Sequence, residues 1–78
     1  MITEKELITK RELTATLIRE RRVNLGWTQE KLAEKTGFER ANISRIEAGR
    51  YFLSTKQLWV LCDALGLEMR IIEKKLKD

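Results

Sequence analysis

WTQEKLAEKTGFERANISRIEAGR, residues 27–50, reads as two short helices joined by a tight turn. Trp27 precedes a Thr28 N-cap and Leu32 follows five positions after it, the form of a hydrophobic staple. That helix should cover about residues 29–36 and bury Leu32 and Ala33. Gly37 then makes the turn, since glycine enters the left-handed region without a Cβ clash. Phe38-Glu39…Ile43 repeats the staple, with Glu39 a poorer cap than Ser or Asp. The next helix, about residues 40–48, turns Ile43 and Ile46 inward, flanked by Asn42 and Glu47. Arg40, Ala41, Ser44, Arg45 and Ala48 fall on the opposite arc.

Two long guanidinium forks separated by small side chains make a face that fits the major groove of DNA, about 12 Å wide. Small residues let the helix backbone approach the bases, and each arginine can contact guanine O6/N7 bidentately or bind phosphate. Taken alone, such a face is more often a solvated amphipathic surface. Joined to a preceding helix by the Gly37 turn, and taken with the family resemblance below, it points to DNA.

The stretch resembles the lambda-repressor/Cro (Xre-type) family of bacterial and phage DNA-binding domains. The resemblance is carried by T-Q-E-x-L-A at residues 28–33, Gly37, and I-S-R-I-E-x-G at residues 43–49, all in register, and more loosely by residues 17–66. It implies an all-α, lambda-repressor-like bundle of four to five helices containing a helix-turn-helix. It also implies roles by position. Gln29 would clasp a phosphate and orient the recognition helix, helped by free N–H groups at that helix terminus. Arg40, Ala41 and Arg45 stand at base-reading positions, Ser44 and Asn42 at positions for bases or phosphates, and Arg50 and Thr28 at phosphate positions. Trp27 stands as a staple residue rather than a base-stacking one.

Outward from this stretch, the chain is punctuated by further helix starts. Ile8-Thr9…Leu13 and Leu53-Ser54…Leu58 repeat the staple, and Thr9…Glu12 and Ser54…Gln57 have capping-box spacing. A first helix is expected over about residues 10–25, ending at Gly26, with Leu13, Thr14, Leu17, Ile18 and Leu25 on one arc. Arg21 falls inside that arc, where the family usually has an apolar residue, and Arg22 on its margin. Ile2-Thr3…Glu6-Leu7 echoes the pattern, so residues 3–8 form either a separate helical turn or an extension of this helix. Arg22 and Glu47 border apolar stripes that face each other in the fold the resemblance implies, and are expected to pair as in related domains, with Arg21 as the rival partner. A last helix, about residues 55–65, carries Leu58, Leu61, Cys62 and Leu65 on an i, i+3, i+4, i+7 stripe closed by Gly66.

Beyond Gly66, Leu67, Met69 and Ile71 alternate with Glu68, Arg70 and Ile72, period two, and predict a short strand rather than a fifth helix. A lone strand edge needs a partner. The expected partner is the same segment of a second subunit, paired antiparallel about a two-fold axis. An intrachain strand at residues 2–8 and a helical 67–73 are the alternatives, and Trp59, Val60, Tyr51 and Phe52 offer other interface residues. The ending resembles that of HipB-class antitoxin repressors, which implies dimerisation through such a strand and a cognate toxin protein as a further candidate partner. The organisation expected is a DNA-binding domain over residues 1–66 and a dimerisation strand with a basic tail (Lys74, Lys75, Lys77) over residues 67–78.

Composition bounds the function classes. The 78 residues suit one small core, and 42% hydrophobic with 36% charged residues describe a globular chain. The absence of histidine removes the commonest general base and metal ligand, and one cysteine, Cys62 on an apolar stripe, does not replace it. No Gly-rich phosphate loop or hydrolase elbow is present. An enzyme, a cofactor, a metal and a small-molecule ligand are therefore not expected. Without a signal-like apolar N-terminal region or a membrane-length apolar run, the expected location is the cytoplasm. A net charge of +4 favours an anionic partner. The expected function is sequence-specific binding of double-stranded DNA at a palindromic operator as a homodimer, repressing by occlusion. The alternative is a protein-interaction module whose basic face is incidental.

Overall fold

Among residues 1–77, three of the four helices begin at a Thr or Ser whose side chain caps them, and the one that follows Glu39 begins without a side-chain cap. The computed structural model describes residues 1–77. It comprises α1 (Glu4–Asn24), α2 (Gln29–Thr36), α3 (Arg40–Glu47) and α4 (Thr55–Leu65). Thr3 and Glu6 form a reciprocal capping box at the start of α1, and Ser54 and Gln57 form another at α4. Thr28 caps α2 by accepting from the Lys31 N–H at 3.0 Å. Gly37, at φ 78°, closes α2 with its N–H donated to the Ala33 carbonyl.

The long α1 corrects the expected start near residue 10. Residues 3–8 are an extension of it, and Thr9 lies inside the helix with its hydroxyl donating back to the Lys5 carbonyl at 3.0 Å. Once Thr3 has nucleated a turn, propagating through Thr9 costs less than nucleating again there.

Ile18, Leu32, Ile43, Ile46, Leu61 and Leu65 form the core, with Leu25, Trp27, Phe38 and Leu58 partly buried against it. α1 and α2 each pack on both α3 and α4. The buried face of α1 is Ala15, Ile18 and Arg22, whereas Leu13 and Leu17, expected inside, are 57% and 53% exposed. A close approach explains the offset. Gly49 crosses α1 so tightly that a Cβ there would stand 3.3 Å from Ala15 Cβ, and its φ of +70° is a second reason for glycine. Alanine fits under that crossing and leucine does not.

Three arginines of α1 tie down the ends of the other helices. Arg11 Nε donates to the Gly49 carbonyl just past α3, and Arg21 Nε to the Leu65 carbonyl at the end of α4, each at 2.8 Å. Cationic donors at C-terminal carbonyls satisfy orphan acceptors and oppose the helix dipole. Arg21, out of place as a core residue, is thus a cap. Arg22 is the arginine that reaches Glu47.

Residues 67–77 form neither helix nor strand, which corrects both the expected strand at Leu67, Met69 and Ile71 and its helical alternative. A strand needs a neighbour for its N–H and C=O groups, and of residues 2–8, the candidate intrachain partner, 4–8 are spent in α1 and Thr3 caps it. The Leu67 N–H instead donates to the Cys62 carbonyl at 2.8 Å, finishing α4. Leu67 and Met69 are 37% and 40% exposed and Ile71 is fully exposed. The last residue of the expected tail, Asp78, lies outside the described residues. Among the described residues, no helix is long and apolar enough to cross a membrane.

Candidate nucleic-acid interface

α3 is seated by Ile43 and Ile46, 0% and 3% exposed, and this rotation alone determines what faces out. Arg40, Ala41, Ser44, Arg45 and Ala48 are all exposed, and Arg50 follows on the adjoining loop. Among the described residues, Arg40, Arg45 and Arg50 have no ion-pair partner. Glu39 makes no side-chain cap at the start of α3, and while the Asn42 and Ile43 N–H groups donate to its carbonyl, those of Arg40 and Ala41 are left for an external acceptor.

Behind this face lies a polar cluster. Arg22 Nε and Glu47 Oε2 are 2.7 Å apart, Arg22 Nη2 donates to Glu47 Oε1 at 2.8 Å, and Arg22 Nη1 donates to the Trp27 carbonyl at 2.7 Å. The side chains are 11% and 3% exposed. A bidentate, nearly dry pair of this kind is among the strong charge-assisted bonds. Its hydrogen bond raises the Arg22 pKa further above its ordinary value, outweighing the opposing effect of burial. Gln29 joins the cluster by donating from Nε2 to Glu47 Oε1 at 3.3 Å. One carboxylate therefore links α1, the first residue of α2 and the last of α3. Gln29 keeps its Oε1 and its second N–H for an outside partner. Thr28, whose oxygen accepts from Lys31, keeps its O–H as a donor beside it.

Two partners were missed by sequence reasoning. The Tyr51 hydroxyl donates to Asn42 Oδ1 at 3.1 Å. Gln57 of α4 borders a shallow concavity with Asn42, Ser44, Arg45 and Arg50. Neither contact follows a local pattern: Tyr51 is nine positions beyond Asn42 and separated from it by a helix end. Leu67, Met69 and Ile71 lie outside this face altogether; Leu67 and Met69 border a groove with Leu17 of α1 and Cys62 of α4. Burial pushes the Cys62 thiol pKa up from its ordinary value, away from the activated thiolate range. Among the described residues, no group of His, Cys, Asp or Glu is placed to hold a metal.

Known proteins are similar to this chain in sequence and fold. Residues 14–70 match the profile of the helix-turn-helix domain family. An uncharacterized HTH-type transcriptional regulator of Methanothermobacter thermautotrophicus is 49% identical over 53 residues, 68% of this chain and 77% of that protein. A hypothetical transcription factor of Neisseria meningitidis serogroup B is 35% identical over 65 residues, 80% of this chain but 61% of that protein. Among solved structures, the restriction-modification controller protein C.Esp1396I, a tetramer on its natural 35 base-pair operator, superposes with a TM-score of 0.70 at 31% identity, covering 74% of this chain and 76% of that one. A HipB variant in complex with an O2 20mer gives 0.73 at 28% identity, covering 83% and 90%. With residues 14–70 inside the family profile and the α2–Gly37–α3 unit in place, this chain belongs to the helix-turn-helix domain family, in its lambda-repressor/Cro (Xre-type) branch.

Proposed function

We propose that this chain is a sequence-specific double-stranded DNA-binding transcriptional regulator that represses by occupying an operator. The observation that carries the reading is the outward arc of α3: two exposed arginines without ion-pair partners among the described residues, spaced by Ala41, Ser44 and Ala48, on a helix whose opposite side is locked into the core. Arg40, Ala41 and Arg45 read bases. Thr28, Gln29 and Arg50 hold phosphates on either side and set the depth of the helix in the groove. Ser44 serves the base-reading arc, and Asn42 its flank.

The regulator acts as a homodimer on a palindromic site. One such module buries too little surface to select an operator among many competitors, and a two-fold pair of modules squares the discrimination. The segment that joins the two subunits is the exposed tail with Leu67, Met69 and Ile71, which pairs only when a second copy supplies the missing edge. The operator-bound tetramer of C.Esp1396I, as a relative that assembles on DNA, supports this reading.

In vitro selection from a random duplex pool tests both statements together. The expected result is an enriched site with two inverted halves whose centres lie about one helical turn apart. Enrichment of no sequence, with binding insensitive to salt, would leave the basic face incidental and favour a protein-interaction role.

A further inference from the structure

Asn42 stands on the side of α3 that faces the following loop. At 100° per residue it lies about 60° past Arg45, beyond the edge of the base-reading arc. It is half-buried, and its Oδ1 accepts from the Tyr51 hydroxyl at 3.1 Å. The Tyr51 ring packs against the core cluster, so the hydroxyl is held on a fixed base. The loop carrying it is pinned in turn from α1. Arg11 Nε donates to the Gly49 carbonyl at 2.8 Å, and the Arg11 guanidinium lies 4.9 Å over the Phe52 ring.

With Oδ1 turned toward the Tyr51 hydroxyl, the amide directs its NH2 along the other branch, where both N–H groups are unspent as donors. Asn42 borders the concavity with Ser44, Arg45, Arg50 and Gln57, and no carboxylate residue lines it. Two guanidinium groups and an amide donor on one rim call for an anionic acceptor. Resting on the DNA-binding reading above, we propose that Tyr51 is a positioning residue that locks the Asn42 amide as a hydrogen-bond donor to a DNA phosphate oxygen beside the bases contacted by α3. Without the phenolic hydroxyl the amide can turn its oxygen outward, toward the phosphate, where it repels. The recognition helix thereby gains a backbone clamp on its loop side to match Gln29 on the other.

A double-mutant cycle tests this, using the full chain, a selected operator and a random duplex of equal length at one salt concentration. Tyr51→Phe keeps the packed ring and removes the bond. It should weaken binding to both DNAs by about five-fold, the worth of one typical hydrogen bond. Asn42→Ala should weaken both at least as much, and the double variant should bind no more weakly than Asn42→Ala alone. Asn42→Asp leaves Tyr51 untouched and can still accept from it, yet presents a carboxylate to the phosphate; it should bind both DNAs more weakly than Asn42→Ala. Melting temperatures of all variants establish that the loop stays folded. Wild-type affinity for Tyr51→Phe, additive losses in the cycle, or Asn42→Asp matching Asn42→Ala would each overturn the assignment. So would a loss confined to the operator, which would make Asn42 a base reader. If the wild-type chain binds neither duplex, the DNA reading itself falls, and this clamp with it.

Discussion

Glu47 is the residue on which most of the interface geometry converges. It accepts from Arg22 twice and from Gln29 once, and its side chain is 3% exposed. Removing one member of a buried pair leaves the other uncompensated, so Glu47→Ala should cost about 3–5 kcal/mol. For a domain of this size that lowers the melting temperature by more than about 10 °C. The two neighbouring arginines should separate cleanly. Arg22→Met strands the Glu47 carboxylate, whereas Arg21→Met loses a single cap on the Leu65 carbonyl, about 1 kcal/mol. Thermal melts of the two variants side by side check this; equal losses would mean that Arg22 and Glu47 are solvent-screened. A neutral Gln29→Ala in the same assay, but weaker on DNA, would separate the phosphate role of Gln29 from the stability role of the pair behind it.

At the level of the element, α3 divides its labour by face, and so should its variants. Arg40→Ala or Arg45→Ala is expected to cost about 1–3 kcal/mol on the selected operator and to relax the base preference at one position. Arg50→Ala, on the loop, should weaken operator and random DNA alike and reduce the slope of log affinity against log salt by about one. Titrations on both duplexes at several salt concentrations check both statements; uniform losses for all three arginines would remove the distinction between reading and holding. The leucine pattern of α1 placed Leu13 and Leu17 inside, yet the helix turns Ala15 and Arg22 inward because Gly49 and Glu47 approach there. Helical periodicity says which residues share a face; only the neighbouring element says which face is buried.

For the whole molecule, the open question is what covers the exposed apolar surface at Leu13, Leu17, Leu67, Met69 and Ile71. If the tail joins two copies, the full chain is a dimer by light scattering at micromolar concentration and a chain truncated after Gly66 is a monomer. The truncated form should then bind a single half-site weakly and lose its preference for the palindrome. Two monomers, or two equally stable dimers, would place the interface elsewhere; exposed Trp59 on α4 is the next surface to mutate.

Much of this protein is determined locally and is therefore legible in the sequence. The α2–Gly37–α3 unit, the Ser54 start of α4 and the burial of Leu32, Ile43 and Ile46 follow from caps, a positive-φ glycine and apolar spacing, all of which act within a few residues. The outward arginines follow from the same spacing. What only the tertiary structure decided depends on residues far apart in the chain. Of two competing N-caps, Thr3 opens α1 and Thr9 is overrun. Arg21 caps α4, 44 residues away, while Arg22 takes Glu47. The Tyr51 hydroxyl reaches Asn42 Oδ1 across a helix end. The tail shows the same division from the other side: its period-two pattern is real, but a strand is a property of a pair, and one chain alone supplies no second edge.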